Sequence, residues 1–514
     1  AVTTGTANTF VGGLAGDGTD DGTNNTAMGY LALSANCGND NTAIGKASLQ
    51  VATGGGNVAV GKDSGLSLTS GTLNVLIGGL AGDALTDADE NVAVGYQALS
   101  ADTLGLKSTA LGNEALATQN FTTATSSYNT AAGYRAGFAV TTAIRNTLIG
   151  GISGDALTTG ARNTTLGYAT LSSDTLGSRT VAIGYEALGS QNFTTATNAY
   201  NVAVGYSAGN VVTTGIQNTI IGALAGDALT DADGNVAVGF GALTTNQLGS
   251  KSVAIGRDAL SSQNPDSATD MYNIAIGEDA GHLVSTGVQN TIVGGLAGDA
   301  ITTGTTNTAV GYASLGANQT GINNACMGSS ALAAVTADGN TAVGHSAGSG
   351  ISSGQYNTAI GLVAMTGHTY TGNFNTSIGY NANPTAATSA GQFTLGDTNV
   401  SNLRCNDTSI STLSDSRDKT DIIDSPYGLA FINTVRPVQY KWESRDGNVK
   451  DGSTRIGFLA QELLAATDGN NAILDLVLDE NPDRLEAKYN NLLPILVKAI
   501  QELSAEIETL KSGG

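Results

Sequence analysis

The sequence predicts a mainly β protein, in which a parallel β-solenoid of about 22 coils is followed by a small α+β domain that ends in a coiled-coil helix. Three observations lead to this prediction: a short phrase recurs along most of the chain, the composition changes near residue 400, and the last segment has a regular apolar spacing. The chain has 514 residues, of which 70 are Gly and only 12% are charged. This composition is unlike that of an ordinary large enzyme with a single core.

The recurring phrase is of the type Asn-Thr-Ala-Val-Gly-Tyr, and its spacing predicts the solenoid. The Gly occurs 22 times, at 12, 29, 45, 61, 78, 95, 112, 133, 150, 167, 184, 205, 222, 239, 256, 277, 294, 311, 328, 344, 361 and 379. Successive copies are 16 to 18 residues apart, except for three intervals of 21 that end at Gly133, Gly205 and Gly277. A 72-residue unit of three coils of 17 residues and one of 21 therefore occurs three times in succession.

Each coil is predicted to contain one or two short strands and tight turns. Apolar residues alternate within the phrase, so that Val92 and Val94 face one side and Ala93 the other, which is a strand signal. Asn stands four residues before the Gly in 19 of the 22 copies, and the exceptions are Ser108, Thr180 and Ser252. Amides at one place in successive coils can hydrogen-bond to the coils above and below, about 4.8 Å away.

The solenoid is expected to associate as a trimer. A thin coil rich in Ala and Gly buries little, so its stability comes from its neighbours, and association of three chains is the simplest way to supply more contacts. The repeats over residues 5–396 resemble the left-handed parallel β-roll heads of trimeric autotransporter adhesins and similar repeats in phage fibres. The resemblance implies a trimeric fibre but indicates little about its function.

The C-terminal part is predicted to be a separate domain. The last 101 residues contain only 7 of the 70 Gly but 11 of the 21 Lys and Arg. We therefore predict a repeat shaft over 1–396, a linker over 397–413 and a C-terminal domain over 414–514. The terminal helix carries an apolar stripe at the a/d spacing of a coiled coil, formed by Leu493, Leu496, Ile500, Leu503, Ile507 and Leu510. A self-associating coiled coil is favoured, and a helix face packed on its own domain is the alternative.

Four phrases carry a second resemblance, and they cover nearly the whole C-terminal domain. They are S-D-S-R-D-K-T-D-I (414–422), G-L-A-F-I-N-T-V-R-P-V-Q-Y-K-W (428–442), R-I-G-F-L-A-Q-E-L (455–463) and A-K-Y-N-N-L-L-P-I-L-V-K-A-I-Q-E-L (487–503). Their order is similar to that of the intramolecular chaperone of endosialidases and phage fibres, which is also classified as a self-cleaving serine peptidase. The resemblance implies that Ser414 and Lys419 form a catalytic dyad and that the chain is cut between Leu413 and Ser414.

The chemistry of this dyad is reasonable. A Ser hydroxyl is a weak nucleophile until a base takes its proton, and a Lys whose pKa is lowered by desolvation can be that base. Some members of the family also use a His, which this domain lacks, and Ser416 is an alternative nucleophile that breaks the family's spacing. We expect intramolecular autoproteolysis and no turnover enzyme.

Together the two resemblances imply a virion tail fibre that trimerises with the help of the chaperone and attaches to a host. The expected partners are two further copies of the chain, a host cell-surface glycan or protein, and the rest of the fibre through a part N-terminal to Ala1. The expected location is the virion tail, assembled in the host cytoplasm and extracellular after release. The extra residues of the three longer coils are candidate host-binding loops or merely tolerated insertions, and their aromatic residues are Phe121, Tyr128, Phe193, Tyr200 and Tyr272.

Composition excludes several other classes of function. The net charge of −22 argues against nucleic acid, and the lack of an apolar run of about 18 residues argues against membrane insertion. The three Cys and three His are scattered, so no metal and no cofactor are expected. A bacterial surface adhesin and a contractile-injection-system fibre are alternatives.

A solenoid glycan-degrading enzyme is a further alternative, and it would need a pair of carboxylates across the scissile bond. One Asp recurs every 72 residues in a G-D-A phrase, as Asp83, Asp155, Asp227 and Asp299. Four copies of one residue in the same phrase favour a role in a turn.

Overall fold

The computed structural model describes residues 3–400, 403–404, 414–441, 452–483 and 485–513. It divides into two compact units, Ala1–Ser330 and Ala331–Gly514. Each unit is described separately below.

The first unit is a parallel β-solenoid, as predicted. Each coil contributes one three-residue strand, which pairs in parallel and in register with the strands of the coils before and after it, as Ala93 does with Leu76 and Ala110. The nineteen strands are Thr9–Val11, Thr26–Met28, Thr42–Ile44, Val58–Val60, Val75–Ile77, Val92–Val94, Thr109–Leu111, Thr130–Ala132, Thr147–Ile149, Thr164–Leu166, Val181–Ile183, Val202–Val204, Thr219–Ile221, Val236–Val238, Val253–Ile255, Ile274–Ile276, Thr291–Val293, Thr308–Val310 and Ala325–Met327.

The core of the solenoid is thin and is built on the middle residue of each coil strand. From Thr26–Met28 to Ala325–Met327 the middle residue of every coil strand is buried, and in most coils it is Ala. Val92 and Val94 lie together on the opposite, outer side of Ala93, as the alternation predicts. Leu side chains from the following turn, such as Leu99 and Leu116, complete the core.

The Gly that ends each strand is required by both conformation and space. Gly95 has a φ of 142°, which side-chain-bearing residues rarely adopt, and a Cβ added to it would lie 2.2 Å from the carbonyl oxygen of Gly112. The Gly that ends the strand in the neighbouring coils likewise has a positive φ and lies close to the backbone of the next coil. The recurrence of this Gly therefore follows from the close approach of successive backbones.

The recurring Asn forms a buried ladder. Asn74 Oδ1 accepts a hydrogen bond of 3.0 Å from the backbone N–H of Asn91, and Asn74 Nδ2 donates to the carbonyl of Ala88 at 2.7 Å. Each amide therefore binds the next coil in two places and satisfies polar groups that the thin core would otherwise leave unpaired.

Each of the three longer coils has a second, two-residue strand, which pairs in parallel with a two-residue strand of the coil before it. The pairs of strands are Gly105–Leu106 with Thr125–Ser126, Gly177–Ser178 with Thr197–Asn198, and Gly249–Ser250 with Thr269–Asp270. In the coil before each longer coil, Ser or Thr stands at the ladder position instead of Asn. A Gln of the longer coil supplies the side-chain amide that this Asn would have provided. Gln119 Oε1 accepts from Asn129 Nδ2 at 2.8 Å, while Gln119 Nε2 donates to Ser108 Oγ at 2.8 Å.

The second unit begins with four more coil strands, Thr341–Val343, Thr358–Ile360, Thr376–Ile378 and Phe393–Leu395. With them the solenoid has 23 coil strands, one more than the 22 copies of the phrase. The recurring phrase does not reveal the last coil, because Gln392 takes the place of the ladder Asn. The N–H of Gln392 donates to Asn375 Oδ1 at 3.0 Å.

The remainder of the second unit is a small α+β domain, as predicted. Its helices are Leu429–Ile432, Ala460–Ala466, Asn471–Leu474 and Leu493–Ser512, with 3-10 turns at Ser416–Asp418 and Tyr489–Leu492. Two antiparallel strand pairs, Val438–Lys441 with Thr454–Gly457 and Val477–Leu478 with Glu486–Ala487, accompany them. The core consists of Leu463, Leu474, Leu476, Val477, Leu492 and Ile495.

This domain contacts the last coil through one loop. Glu480 Oε2 accepts hydrogen bonds from Ser389 Oγ at 2.8 Å and from Gln392 Nε2 at 3.0 Å. Asn481 Nδ2 donates to the carbonyl of Thr385 at 3.0 Å. The loop therefore pairs polar groups at the end of the solenoid, where no further coil follows.

Candidate autoproteolytic site and exposed surfaces

Ser414 and Lys419 are brought together by a single turn of 3-10 helix, Ser416–Asp418. Asp415 caps this turn, since its Oδ1 accepts from the backbone N–H of Arg417 at 2.9 Å. Lys419 follows the turn, and its Nζ donates a hydrogen bond of 2.6 Å to Ser414 Oγ. The two residues that the sequence assigns to a dyad are therefore in direct contact.

The residues between Ser414 and Lys419 contact one another and the backbone of the turn. Arg417 forms an ion pair with Asp415, and the hydrogen bonds from Arg417 lower the pKa of that carboxyl group. Ser416, the alternative nucleophile, accepts the backbone N–H of Lys419 at its carbonyl, whereas the Lys419 ammonium is directed at Ser414. Leu413, on the other side of the expected cut, lies outside the described residues.

The arrangement is suited to proton transfer from Ser414 to Lys419. Once Lys419 has taken the hydroxyl proton, the Ser414 oxygen can attack the carbonyl carbon of the peptide bond that precedes Ser414. The C–N bond of that peptide then breaks, the Ser414 nitrogen leaves as an amine that takes up the proton, and water hydrolyses the resulting ester. Both side chains are exposed in the single chain. A Lys acts as a base only in its neutral form, which desolvation favours, so covering this surface would activate the pair.

Residues 414–472 match the family model of the chaperone of endosialidase, Peptidase_S74. The matched segment begins at the serine that contacts Lys419. No curated protein matches the chain. The match at the C terminus and the parallel β-solenoid fit the resemblance to a tail fibre with a C-terminal chaperone domain.

The apolar stripe of the C-terminal helix is exposed among the described residues of the domain. Ile495 and Ala499 are the buried residues of this helix, and they lie on a different face. Ile500 is 66% exposed, and the other residues of the stripe are exposed too, namely Leu493, Leu496, Leu503, Ile507 and Leu510. Within the part of the chain that the structure describes, the helix is therefore two-sided, with one face in the domain core and the other exposed.

The first unit also has an exposed apolar face, which we call the strand-end face. It consists of the third residue of each coil strand and the residue that follows the Gly. Exposed members include Leu111, Ile149, Leu166, Ile221, Ile255, Ile276, Tyr96, Tyr134, Tyr168, Tyr185 and Tyr206. Tyr185 stacks between Tyr168 and Tyr206, with ring centroids 5.7 and 5.4 Å apart. An apolar surface repeated in register over many coils is typical of an interface.

The structure divides the aromatic residues of the longer coils into two groups. Phe121 and Phe193 are only 5% exposed, so their side chains lie within the solenoid of the single chain, and host contact by these loops stays a prediction. Tyr128, Tyr200 and Tyr272 are about half exposed, at 52%, 47% and 50%. Each tyrosine lies next to a cation of the preceding coil, namely Lys107, Arg179 and Lys251.

The carboxylates of the G-D-A phrases do not form pairs with one another. Asp83 and Asp155 belong to coils that are four strands apart, which corresponds to roughly 19 Å. Glycoside hydrolysis uses carboxyl groups about 5–9.5 Å apart. Burial raises the pKa of Asp83, Asp155 and Asp299, as expected for half-buried turn residues.

A shallow hollow lies beside one of these residues. It has a volume of about 240 Å³ and is lined by Asp279, His282 and Asp299 among others. His282 Nδ1 is 2.9 Å from Ser261 Oγ and 3.7 Å from Asp279 Oδ1. Because Ser261 and Asp279 both approach the same ring nitrogen, the three do not form a nucleophile–base–acid relay, in which the two ring nitrogens take separate partners.

None of the helices within the described residues has the length and the apolar character needed to cross a membrane.

Proposed function

We propose that the chain is part of a viral tail fibre that assembles as a homotrimer, is cut between Leu413 and Ser414 by its own C-terminal domain, and attaches to a host surface. The observation that carries the proposal is the hydrogen bond of 2.6 Å between Lys419 Nζ and Ser414 Oγ, at the first residue of the segment that matches the chaperone family. A long parallel β-solenoid ahead of such a domain suits a fibre shaft.

Two separate apolar surfaces support assembly of several copies. The stripe of the C-terminal helix and the strand-end face of the first unit both expose large apolar side chains in the single chain. Burying one such side chain gives about 1.5–3 kcal/mol, so rows of them favour association strongly. Three copies are proposed from the resemblance to trimeric fibres, since the a/d pattern alone does not select a trimer.

Assembly and cleavage are linked in this proposal. In the single chain the Lys419 side chain is exposed to water. Packing of neighbouring copies around the C-terminal domain would remove water from Lys419. The neutral amine could then take the proton of Ser414, so cleavage would follow assembly.

The cleavage step is tested by expressing the chain beside its Ser414→Ala variant and analysing both on a denaturing gel. We expect a fragment of 101 residues, 414–514, from the unmodified chain and none from the variant. Mass spectrometry of the fragment should place its N terminus at Ser414.

The Ser416→Ala variant is the matched control, because it removes the neighbouring hydroxyl and leaves the contact between Ser414 and Lys419 in place. It should be cut normally. Cleavage that persists in Ser414→Ala and disappears in Ser416→Ala would transfer the nucleophilic role to Ser416. An unmodified chain that stays whole while its assembled form is present would contradict autoproteolysis but not assembly.

A further inference from the structure

The residue that precedes each ladder position forms a continuous outer column of the solenoid, and six successive members of it share an unusual composition. We call this segment the cationic stripe; in chain order it consists of Lys107, Tyr128, Arg145, Arg162, Arg179 and Tyr200. All six have left-handed backbone conformations, with φ between 51° and 63°. Glu90 precedes the stripe in the column and Gln217 follows it.

The stripe residues are in register. Each lies two residues before a coil strand, and these strands pair in parallel without a slip from Thr109–Leu111 to Val202–Val204. Backbone hydrogen bonds join each stripe arginine to the preceding coil, at the residue before its stripe member: the N–H of Arg162 donates to the carbonyl of Ile144 and the N–H of Arg179 to that of Ala161. At about 4.8 Å per coil, the stripe extends over roughly 24 Å.

The charge of the stripe is opposite to that of the chain. Residues 1–396 contain nine Lys and Arg, and four of them are members of the stripe, while the net charge of the whole chain is −22. Within the described residues none of the four forms a salt bridge, in contrast to Lys62, Arg135, Lys251 and Arg257. Three arginines at successive coils repel one another, and an anionic partner would relieve that repulsion.

The tyrosines add a surface for a flat or ring-shaped group. The Lys107 ammonium is 5.7 Å from the centroid of the Tyr128 ring, and the Arg179 guanidinium is 5.4 Å from that of Tyr200. Arg179 Nη1 also donates to the Tyr200 hydroxyl at 2.5 Å. At both ends of the stripe an exposed ring is therefore held beside a cation, and Arg145 and Arg162 lie between them.

We propose that the cationic stripe binds a linear acidic polysaccharide, with its carboxylate or sulfate groups on the arginines and its sugar rings on Tyr128 and Tyr200. Guanidinium groups bind such anions with charge-assisted hydrogen bonds, and tyrosine offers an apolar ring with a polar tip. Single-stranded nucleic acid also carries anions and flat rings, and the net charge of −22 opposes both kinds of polyanion, so it is the proposed host attachment that favours a polysaccharide. This inference rests on the proposed host attachment, for which it names the class of ligand.

The test measures binding of the intact chain to four probes: oligogalacturonate, a heparin oligosaccharide, neutral dextran and oligo-deoxythymidine. The key variant is Arg145→Gln with Arg162→Gln. Gln is compatible with this column, since Gln217 and Gln289 occupy it with the same left-handed backbone, each at a φ of 60°. The matched control is Lys46→Gln with Lys62→Gln, which removes the same charge from other positions of the solenoid.

We expect the unmodified chain to bind at least one of the acidic oligosaccharides more tightly than dextran and oligo-deoxythymidine, with an affinity that falls as salt is added. The double arginine variant should lose about tenfold or more in affinity, and the lysine control should lose little. Both variants should assemble and be cut as the unmodified chain is.

Three results would overturn the inference. They are a lack of binding to both acidic oligosaccharides, an equal loss in the two double variants, and tighter binding of oligo-deoxythymidine. A change of oligomeric state confined to the arginine variant would instead assign the stripe to a contact between copies. Since cleavage and assembly are measured separately, failure of the stripe is distinguishable from failure of the proposed fibre function.

Discussion

At the scale of single residues, two of the longer coils enclose a buried carboxylate. Asp102 accepts hydrogen bonds from the N–H groups of Gly105 and Phe121, both at 3.0 Å, and from Gln119 Nε2 at 2.6 Å. Asp174 makes the equivalent contacts in the next 72-residue unit, and Asn246 takes the place in the third. Burial raises the pKa of Asp102 and Asp174, and the donated hydrogen bonds offset this only in part.

The pH dependence of stability should change when both carboxylates are replaced, as in Asp102→Asn with Asp174→Asn. A raised pKa means that the folded state keeps its proton to a higher pH than the unfolded state. The stability that each group contributes is therefore complete below the unfolded pKa of about 4 and is lost as the pH rises through the folded value. The variant should gain in urea midpoint relative to the unmodified chain between about pH 4 and pH 7.

The Asp231→Asn variant is a control with the opposite sign. Hydrogen bonds from Thr213 and Thr214 lower the pKa of Asp231, so its contribution is present at neutral pH and is lost as the pH falls. That variant should lose in midpoint relative to the unmodified chain as the pH rises. Parallel pH profiles for all three proteins would show that none of these carboxylates influences folding.

These residue-level details lay beyond the sequence. The exceptions at Ser108, Thr180 and Ser252 are visible as a pattern, but the amides of Gln119 and Gln191 that compensate for them lie 11 residues further along and become neighbours only through the coil. For the same reason Phe121 reads as a loop residue although it is buried. The cationic stripe has a signal in the sequence, the residue before each ladder position, but its meaning depends on the register of the coils.

At the scale of elements, the C-terminal helix separates two kinds of apolar residue. The spacing correctly predicts the helix and its stripe, but only the structure shows that Ile495 and Ala499 face the domain core while Ile500 and Leu503 face outward. The strands of the solenoid give the same lesson. Their alternation is readable from the sequence, but only the structure shows that the middle residue faces inward, whether it is Ala93 or the larger Leu76.

Assembly should be lost in the variant Ile500→Lys with Leu503→Lys. Both residues are exposed in the single chain, so the domain should fold, whereas each loses about 1.5–3 kcal/mol of burial per copy in an assembly and places a charge in the interface. Sizing under native conditions measures the outcome, and circular dichroism checks the fold.

The matched control for the helix is Gln501→Lys with Ser504→Lys, which adds the same charge at exposed positions outside the stripe. It should assemble as the unmodified chain does. If both double variants assemble normally, the stripe is not an interface, and if both fail, the added charge is responsible rather than the lost apolar contact.

At the scale of the whole molecule, the 72-residue unit makes the solenoid modular. Each coil hydrogen-bonds only with its neighbours, so stability is a sum of local terms, and equivalent coils should be exchangeable. Thr130–Ala132 pairs with Thr147–Ile149, and one unit later Val202–Val204 pairs with Thr219–Ile221. The ladder contacts are equivalent as well, with Asn146 N–H donating to Asn129 Oδ1 and Asn218 N–H to Asn201 Oδ1, both at 2.9 Å.

Deletion of residues 134–205 should therefore give a shorter chain that still folds. The cut joins Gly133 to Tyr206, which occupies the place of Tyr134, and Thr130–Ala132 would pair with Thr219–Ile221 without a slip. Cleavage before Ser414 should be unchanged, and the dependence of unfolding free energy on urea should be shallower, because less surface is exposed on unfolding.

Deletion of residues 134–213 is the control, since it leaves only nine residues from Gly133 to Gly222, too few for a coil that otherwise needs at least 16. That protein should misfold or aggregate, and if both deletions behave alike, the stability of the solenoid does not depend on the register of its coils.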